Sequence, residues 1–294
     1  MSEFADLVAR EKPLKLEPAP GGKSGALLAT YEGGVRAVVK AAKDRMPGGQ
    51  RRQRGIPVEA HPAHEVAFYR SAQLLAELRG APAGSDSIVP ETVLTKKAVP
   101  GVVASAQMFV PAQHLEEVVP ELRDLDAPEW GAHLVEACLR VPRVFWKRLL
   151  VADILGGVRD RHANNVGLRM RVSGDQPIYR AVAWDNAVSF GKTFDRYHNV
   201  FHKHLFRRSV DLGEEWRALD KLTRADLRYA VGGLLEPDAI EHAFLRTRFF
   251  GDFPYRLPWK VCSKGHDDPQ DFPDYRTYFY PSADSPLHMS RVAA

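Results

Sequence analysis

Two short segments near the middle of the chain constrain its fold more than any other part. Asp160-Arg161-His162-Ala163-Asn164-Asn165 sets a carboxylate five residues before a carboxamide, and Trp184-Asp185-Asn186 follows about twenty residues later. The run that delivers Asp185, Arg180-Ala181-Val182-Ala183-Trp184, is apolar and strand-like. Each piece alone reads equally well as local structure: Asp160 can cap a turn, and Asp185-Asn186 can close a tight turn after a strand. Taken in this order they match a chemical demand. Phosphoryl transfer from ATP takes one acid to accept the acceptor's proton, and an acid plus an amide to hold Mg²⁺ on the phosphates.

Asp-Arg-His-x-x-Asn followed by a strand ending in Asp-Asn resembles the catalytic and metal loops of the phosphatidylinositol 3/4-kinase superfamily. The Fam20/four-jointed secretory kinases and the HipA-like kinases are neighbouring groups. Trp184-Asp185-Asn186-Ala187-Val188-Ser189-Phe190-Gly191 resembles most the Fam20-like metal loop, whereas Asn165 leans toward the lipid-kinase-like and HipA-like pattern. The resemblance implies Asp160 as base, Asn165 as a metal ligand and Asp185 as the main ligand of Mg²⁺, with Mn²⁺ as the alternative ion. It also implies an α+β, bilobal protein-kinase-like fold with a β-rich N-lobe and a mainly helical C-lobe.

Upstream, Val35-Arg36-Ala37-Val38-Val39-Lys40 alternates as a strand. It follows Ala26-Leu27-Leu28-Ala29-Thr30-Tyr31 across a Glu32-Gly33-Gly34 turn, which predicts a hairpin. Period two puts Val38 and Lys40 on one face, so Lys40 can reach phosphate while Val38 packs under adenine; a strand-end lysine in solvent is the alternative. Glu65 opens a predicted helix with an apolar stripe at Ala67, Ser71, Leu74, Leu75 and Leu78. A kinase needs such a glutamate to hold its lysine, although the first turn of any helix favours a carboxylate. Gly21-Gly22-Lys23-Ser24-Gly25 is not a P-loop, because Glu17 stands where that motif requires its first glycine and a hairpin follows. Gly22, Lys23 and Ser24 instead suit a turn folding over the phosphates of ATP, or an ordinary hairpin turn.

Residues 1–106 are expected to form the N-lobe, with further strands over Ile88–Leu94 and Val102–Phe109. Residues 107–113 read as the hinge, where the backbone of Gln107, Met108, Phe109 and Val110 would meet the adenine edge. Residues 114–294 read as the C-lobe. A helical stretch from His133 to Gly156 is divided at Pro142 and ended by Gly156-Gly157. Segments 214–222 and 223–249 read as helices, and 251–294 as an irregular proline- and aromatic-rich tail.

Composition narrows the remaining classes. A chain of 294 residues with 45% hydrophobic content fits a catalytic domain of this size. No apolar run reaches membrane-spanning length, and Met1-Ser2-Glu3-Phe4-Ala5-Asp6 is unlike a signal peptide. Only Cys138 and Cys262 occur, so no disulfide framework or CxxC zinc site is expected; a reducing cytoplasm is, and frequent Ala, Arg, Val and Pro suggest a bacterial source. The formal charge of +4 permits an anionic acceptor, and no nucleic-acid partner is expected. The stretch from Asp44 to Pro62, carrying Arg51, Arg52 and Arg54, reads as an exposed loop or a phosphate-binding one. His198, His202 and His204 lack acidic or cysteine partners at metalloenzyme spacing and read as surface or groove residues. No Ala-Pro-Glu signature follows Asp185. The expected activity is ATP- and Mg²⁺-dependent phosphoryl transfer to a hydroxyl, first of all on a protein or peptide. A small-molecule or inositol-lipid kinase, or a nucleotide-binding pseudokinase or AMP-transferase, is the alternative.

Overall fold

The computed structural model describes residues 2–19, 25–42, 52–53, 56–82, 87–123, 133, 141–158, 160–173, 176–191 and 214–251. The N-terminal half is organised by a five-stranded antiparallel sheet in the order β1-β2-β3-β7-β6. These strands are β1 (Lys15–Pro18), β2 (Leu27–Thr30), β3 (Arg36–Ala41), β6 (Thr92–Thr95) and β7 (Ala104–Met108). Between β3 and β6 lie a two-residue pair, β4 (Arg52–Gln53) with β5 (Ile56–Pro57), and helix α2 (His61–Leu78).

Strand alternation gives the sheet two different faces. Ala37 and Val39 of β3 point to the outer side, buried with Ala29, Tyr31, Ala104 and Ala106. Helix α1 (Glu3–Arg10) covers that side with Phe4 and Val8, its first turn capped by Ser2 Oγ, which accepts from the Ala5 N–H at 3.0 Å. Eight residues are too few for a stable helix in isolation. Burying two such side chains, about 1.5–3 kcal/mol each, is what holds α1 in place. Val38 and Lys40 take the opposite face, with Val38 registered against Leu28 and Gln107, and Lys40 against Ser105.

The expected hairpin is present, with β2 and β3 joined by a 3-10 turn at Glu32–Gly34 in which Gly33 and Gly34 adopt φ of 68° and 75°. Helix α2 begins earlier than its apolar pattern suggests. It starts at His61 and carries Pro62 in the first turn, where a missing N–H costs nothing. Pro62 therefore belongs to the helix and not to the preceding loop, and Glu65 lies beyond the first turn, so a dipole cap does not account for it. The single stripe is corrected too. Val66, Phe68, Ala72 and Ala76 are buried alongside Ala67, Ser71 and Leu75, because α2 packs on the sheet and on C-terminal helices at once. The expected strand over Ile88–Leu94 is reduced to Thr92–Thr95. Ile88 and Val89 instead enter the core of the C-terminal half, and the Ile88 carbonyl accepts from Ala183 N–H at 2.7 Å.

A second sheet, ordered β10-β9-β8, belongs to the C-terminal half: β8 (Gln113–His114), β9 (Val166–Ser173) and β10 (Gln176–Ala183). Short helix α3 (Leu115–Val118) follows β8. Helix α4 (Arg143–Gly156) starts after Pro142 and ends on Gly157 at φ 57°. Its last carbonyls, Ile154 and Leu155, accept from the buried Arg246 guanidinium at 3.2 and 3.0 Å. A Cβ on Gly157 would stand 2.7 Å from Arg246 Cζ, so glycine is required there for space as well as for φ. Helices α5 (Glu214–Lys221), α6 (Arg224–Val231) and α7 (Pro237–Gly251) complete the described part. Thr223 caps α6 in a reciprocal box with Asp226. The single helix expected over 223–249 is in fact two, interrupted at Gly232-Gly233 and restarted at Pro237. Among the described residues no helix is long and apolar enough to cross a membrane. The tail from 252, Cys138, Cys262 and the histidines 198, 202 and 204 lie outside the described residues.

Candidate active site

Lys40 of β3, Glu65 of α2 and Asp185 after β10 are far apart in sequence and converge in space. Lys40 Nζ is 2.5 Å from Glu65 Oε1 and 2.7 Å from Asp185 Oδ1. Side-chain exposure rises along this row, from 3% at Glu65 through 20% at Lys40 to 42% at Asp185, so the row opens to solvent at its Asp185 end. Burial alone would lower the Lys40 pKa, but Asp185 and Glu65 outweigh it and hold the ammonium above its ordinary value. Asp185 is surrounded closely enough for desolvation to push its carboxyl up. The Lys40 ammonium overrides that, and the carboxyl is held below the usual carboxylate range.

Asp185 adopts φ 55°, which is strained for a non-glycine residue and turns its side chain back toward Lys40. The backbone around it is tied down. Asn186 N–H donates to Glu65 Oε2 at 3.0 Å, so one glutamate grips both the lysine and the loop that carries Asp185. Trp184 lies on the backbone of Gly167, where a Cβ would fall 2.0 Å from the indole, and its Nε1–H donates to Asn164 O at 2.7 Å.

Asp160 and Asn165 lie in the loop between α4 and β9, which touches the Asp185 loop where Trp184 N–H donates to Asn165 O at 3.1 Å. Asn165 is buried and donates from Nδ2 to the Asp160 carbonyl at 2.5 Å. That bond commits the donor end of the amide and leaves its oxygen as the end suited to a hard cation. His162, two residues after Asp160, accepts at Nδ1 from the Asn164 N–H at 3.3 Å, and burial holds its pKa down against the pull of Asp160 and Asp185.

Residues that were not singled out from the sequence hold these loops together. Arg161 is fully buried. It pairs with the equally buried Asp153 of α4 at 2.9 Å and donates to Asn165 O, Trp184 O and Asn186 Oδ1 at 3.3, 2.9 and 2.6 Å. One guanidinium thus spans the helix, the Asp160 loop and the Asp185 loop. A signal for it was present: Asp153 is the lone charge in Leu149-Leu150-Val151-Ala152-Asp153-Ile154-Leu155, and a buried charge must be paired.

On the same face of β3 as Lys40, Val38 is part-buried beside Leu28. Gln107 and Met108 are the last residues of β7. The Gln107 side chain turns inward to donate to Thr92 Oγ1 at 3.1 Å. The N–H groups of Met108 and Phe109 donate to Glu91 O and Arg36 O at 2.7 and 2.9 Å. These two residues therefore offer a ligand their carbonyls and not their N–H groups. Gly22, Lys23, Ser24, Arg51 and Arg54 lie outside the described residues, as do 192–213.

Among the described residues no three His, Cys, Asp or Glu side chains cluster as a self-sufficient metal centre. A site of one carboxylate and one amide oxygen suits Mg²⁺ or Mn²⁺ when phosphate oxygens complete the coordination, and Asp185 with Asn165 fit that description.

No protein-family model matches the chain, and neither does the sequence of any curated protein. Solved structures do match. The structure of hydra Fam20 with sugar superposes with a TM-score of 0.54 over 84% of this chain and 86% of that one, at 11% identity. The Golgi casein kinase with Mn/ADP bound gives 0.52 over 85% and 74%, at 13% identity. The fold is kinase-like. At these identities the likeness establishes architecture alone, and a Fam20 protein is among those that share it. The leaning of Asn165 toward the phosphatidylinositol-kinase and HipA patterns rests on the sequence.

Proposed function

We propose that this protein is an ATP- and divalent-cation-dependent phosphotransferase acting on a hydroxyl, with a protein or peptide as the favoured acceptor. The observation that carries the reading is the placement of Lys40 within hydrogen-bonding distance of both Glu65 and Asp185, with the Asn165 amide oriented by the Asp160 carbonyl. Lys40 is a fixed cation for phosphate oxygens, and Glu65 keeps it extended. Val38 and Leu28 supply an apolar ceiling for adenine, and residues 109–112, between β7 and β8, form the connection between lobes. Asp185 and the Asn165 oxygen would hold the cation, which when bound neutralises charge on the phosphates. Asp160 accepts the acceptor's proton as its oxygen attacks the γ-phosphorus and ADP departs. A protein acceptor is supported by the name of one structural neighbour, a casein kinase.

The test is label transfer from γ-labelled ATP to casein with Mg²⁺ or Mn²⁺, run beside α-labelled ATP. The wild type should transfer the γ-label and Asp185→Ala should not. Transfer of the α-label would make the protein an AMP-transferase, and γ-transfer persisting in Asp185→Ala would remove Asp185 from the site.

A further inference from the structure

The loop from Asp185 to Phe190 is gripped by α2 at two points, and only one of them belongs to the lysine–glutamate arrangement. The first is the Asn186 N–H bond to Glu65 Oε2. The second is His64, the residue before Glu65, whose Nδ1 lies 2.5 Å from the Ser189 carbonyl. A carbonyl can only accept, so the imidazole carries its proton on Nδ1. Ser189 Oγ returns a longer bond to His64 O at 3.5 Å, and the Phe190 ring meets the His64 ring edge-on at 6.2 Å. Burial brings the His64 pKa down to about 4, against the raising effect of the Ser189 bond, so the ring is neutral at pH 7.

Beyond His64 the loop is anchored to the body of the C-lobe. Phe190 is buried at φ 56°, and its N–H donates to Gly156 O at 2.5 Å. The next carbonyl, Gly191 O, accepts from Arg246 at 2.9 Å, and the same guanidinium caps α4. From Arg246 through Phe190 to His64 there is thus a continuous set of contacts, buried at Arg246 and Phe190, ending one residue from Glu65.

We infer that His64 is a positioning residue: by holding the Ser189 carbonyl it locks the Glu65 helix to the Asp185 loop, making the lysine-holding and cation-holding parts of the site one mechanical unit. This rests on the function proposed above. It follows that the registration of Glu65 on the loop is built into the fold and needs no added phosphate to set it.

The variants His64→Ala, His64→Asn and His64→Gln separate this role from general packing. Asparagine Nδ2 can take the place of imidazole Nδ1, whereas the glutamine amide reaches past it. In His64→Ala and His64→Gln the Mn²⁺ concentration giving half-maximal casein labelling should rise about 10–100-fold, the usual effect of losing a partner that orients a metal ligand. His64→Asn should stay near the wild type. Amide hydrogen exchange on the protein without nucleotide or metal supplies an arm independent of catalysis. Exchange over 185–191 should quicken in His64→Ala and His64→Gln while β6 and β7 stay unchanged. If the wild type transfers no label, the function reading fails and the exchange arm still decides the clasp. Equal behaviour of the asparagine and alanine variants, or quickened exchange spread evenly over the chain, would overturn the inference.

Discussion

Glu65 binds Lys40 through one carboxylate oxygen and the backbone of Asn186 through the other. The two bonds make the carboxylate irreplaceable by its amide. A glutamine that turned its oxygen to Lys40 would present NH₂ to the Asn186 N–H, two donors facing each other. Glu65→Gln should therefore lose activity, though less than Glu65→Ala, and kcat/KM across the pair measures it. Lys40→Met combined with Glu65→Ala should be little worse than the worse single variant, since residues acting as a unit lose function non-additively. Fully multiplicative losses would mean that the contact does not matter to catalysis.

The part expected of Asp160 is in the chemical step. Asp160→Asn keeps the size of the side chain and removes its basicity, which typically costs about 10²–10⁴ in rate. Turnover should collapse while nucleotide affinity, read by calorimetry with ADP and Mn²⁺, changes little. A parallel fall in affinity would reassign Asp160 to binding.

The row of Lys40, Glu65 and Asp185 was legible in the sequence because each residue follows from a local signal. An alternating hairpin, an amphipathic helix and a strand ending in Asp-Asn can each be read within about ten residues. What tertiary context decides was not legible. The start of α2 at His61 is hidden because Pro62 reads as a loop residue until it is known to occupy the first turn. The departure of Ile88 and Val89 from β6 is invisible because a strand and a buried crossover have the same apolar composition. The donors of Met108 and Phe109 look available for adenine until the carbonyls of Glu91 and Arg36 are brought beside them. His64 gave no signal at all, as its partner is a backbone carbonyl 125 residues away.

His64 also sets a pH dependence of stability. An unfolded-chain histidine titrates near 6.5, whereas burial holds His64 at about 4 in the fold. Between those values the unfolded chain binds the proton and the native one does not. The contribution of His64 is therefore complete above about pH 6.5 and is lost as pH falls toward 4, with a slope of at most about 1.4 kcal/mol per pH unit. His61 and His162, also held low by burial, add to the same limb. Urea midpoints at pH 7.5 and 5.0 should converge in His64→Asn relative to the wild type, without becoming equal. An unchanged difference would mean that His64 titrates normally in the fold.

The pair of Arg161 with Asp153 governs stability more than chemistry. Both side chains are fully buried, and the guanidinium is committed to three further acceptors in the two loops. Removing Asp153 strands that cation in the core, and breaking a buried pair from one side costs about 3–5 kcal/mol. Asp153→Ala should therefore lower the urea midpoint by more than any of the active-site substitutions above. Arg161→Lys keeps the charge but can reach only part of the same set of acceptors, since an ammonium lacks the planar fork. It should fold, retain nucleotide binding more nearly than turnover, and need more Mn²⁺ for half-maximal labelling, because Asn165 and Asn186 would both lose their anchor. Wild-type turnover and metal dependence in Arg161→Lys would restrict the guanidinium to a packing role.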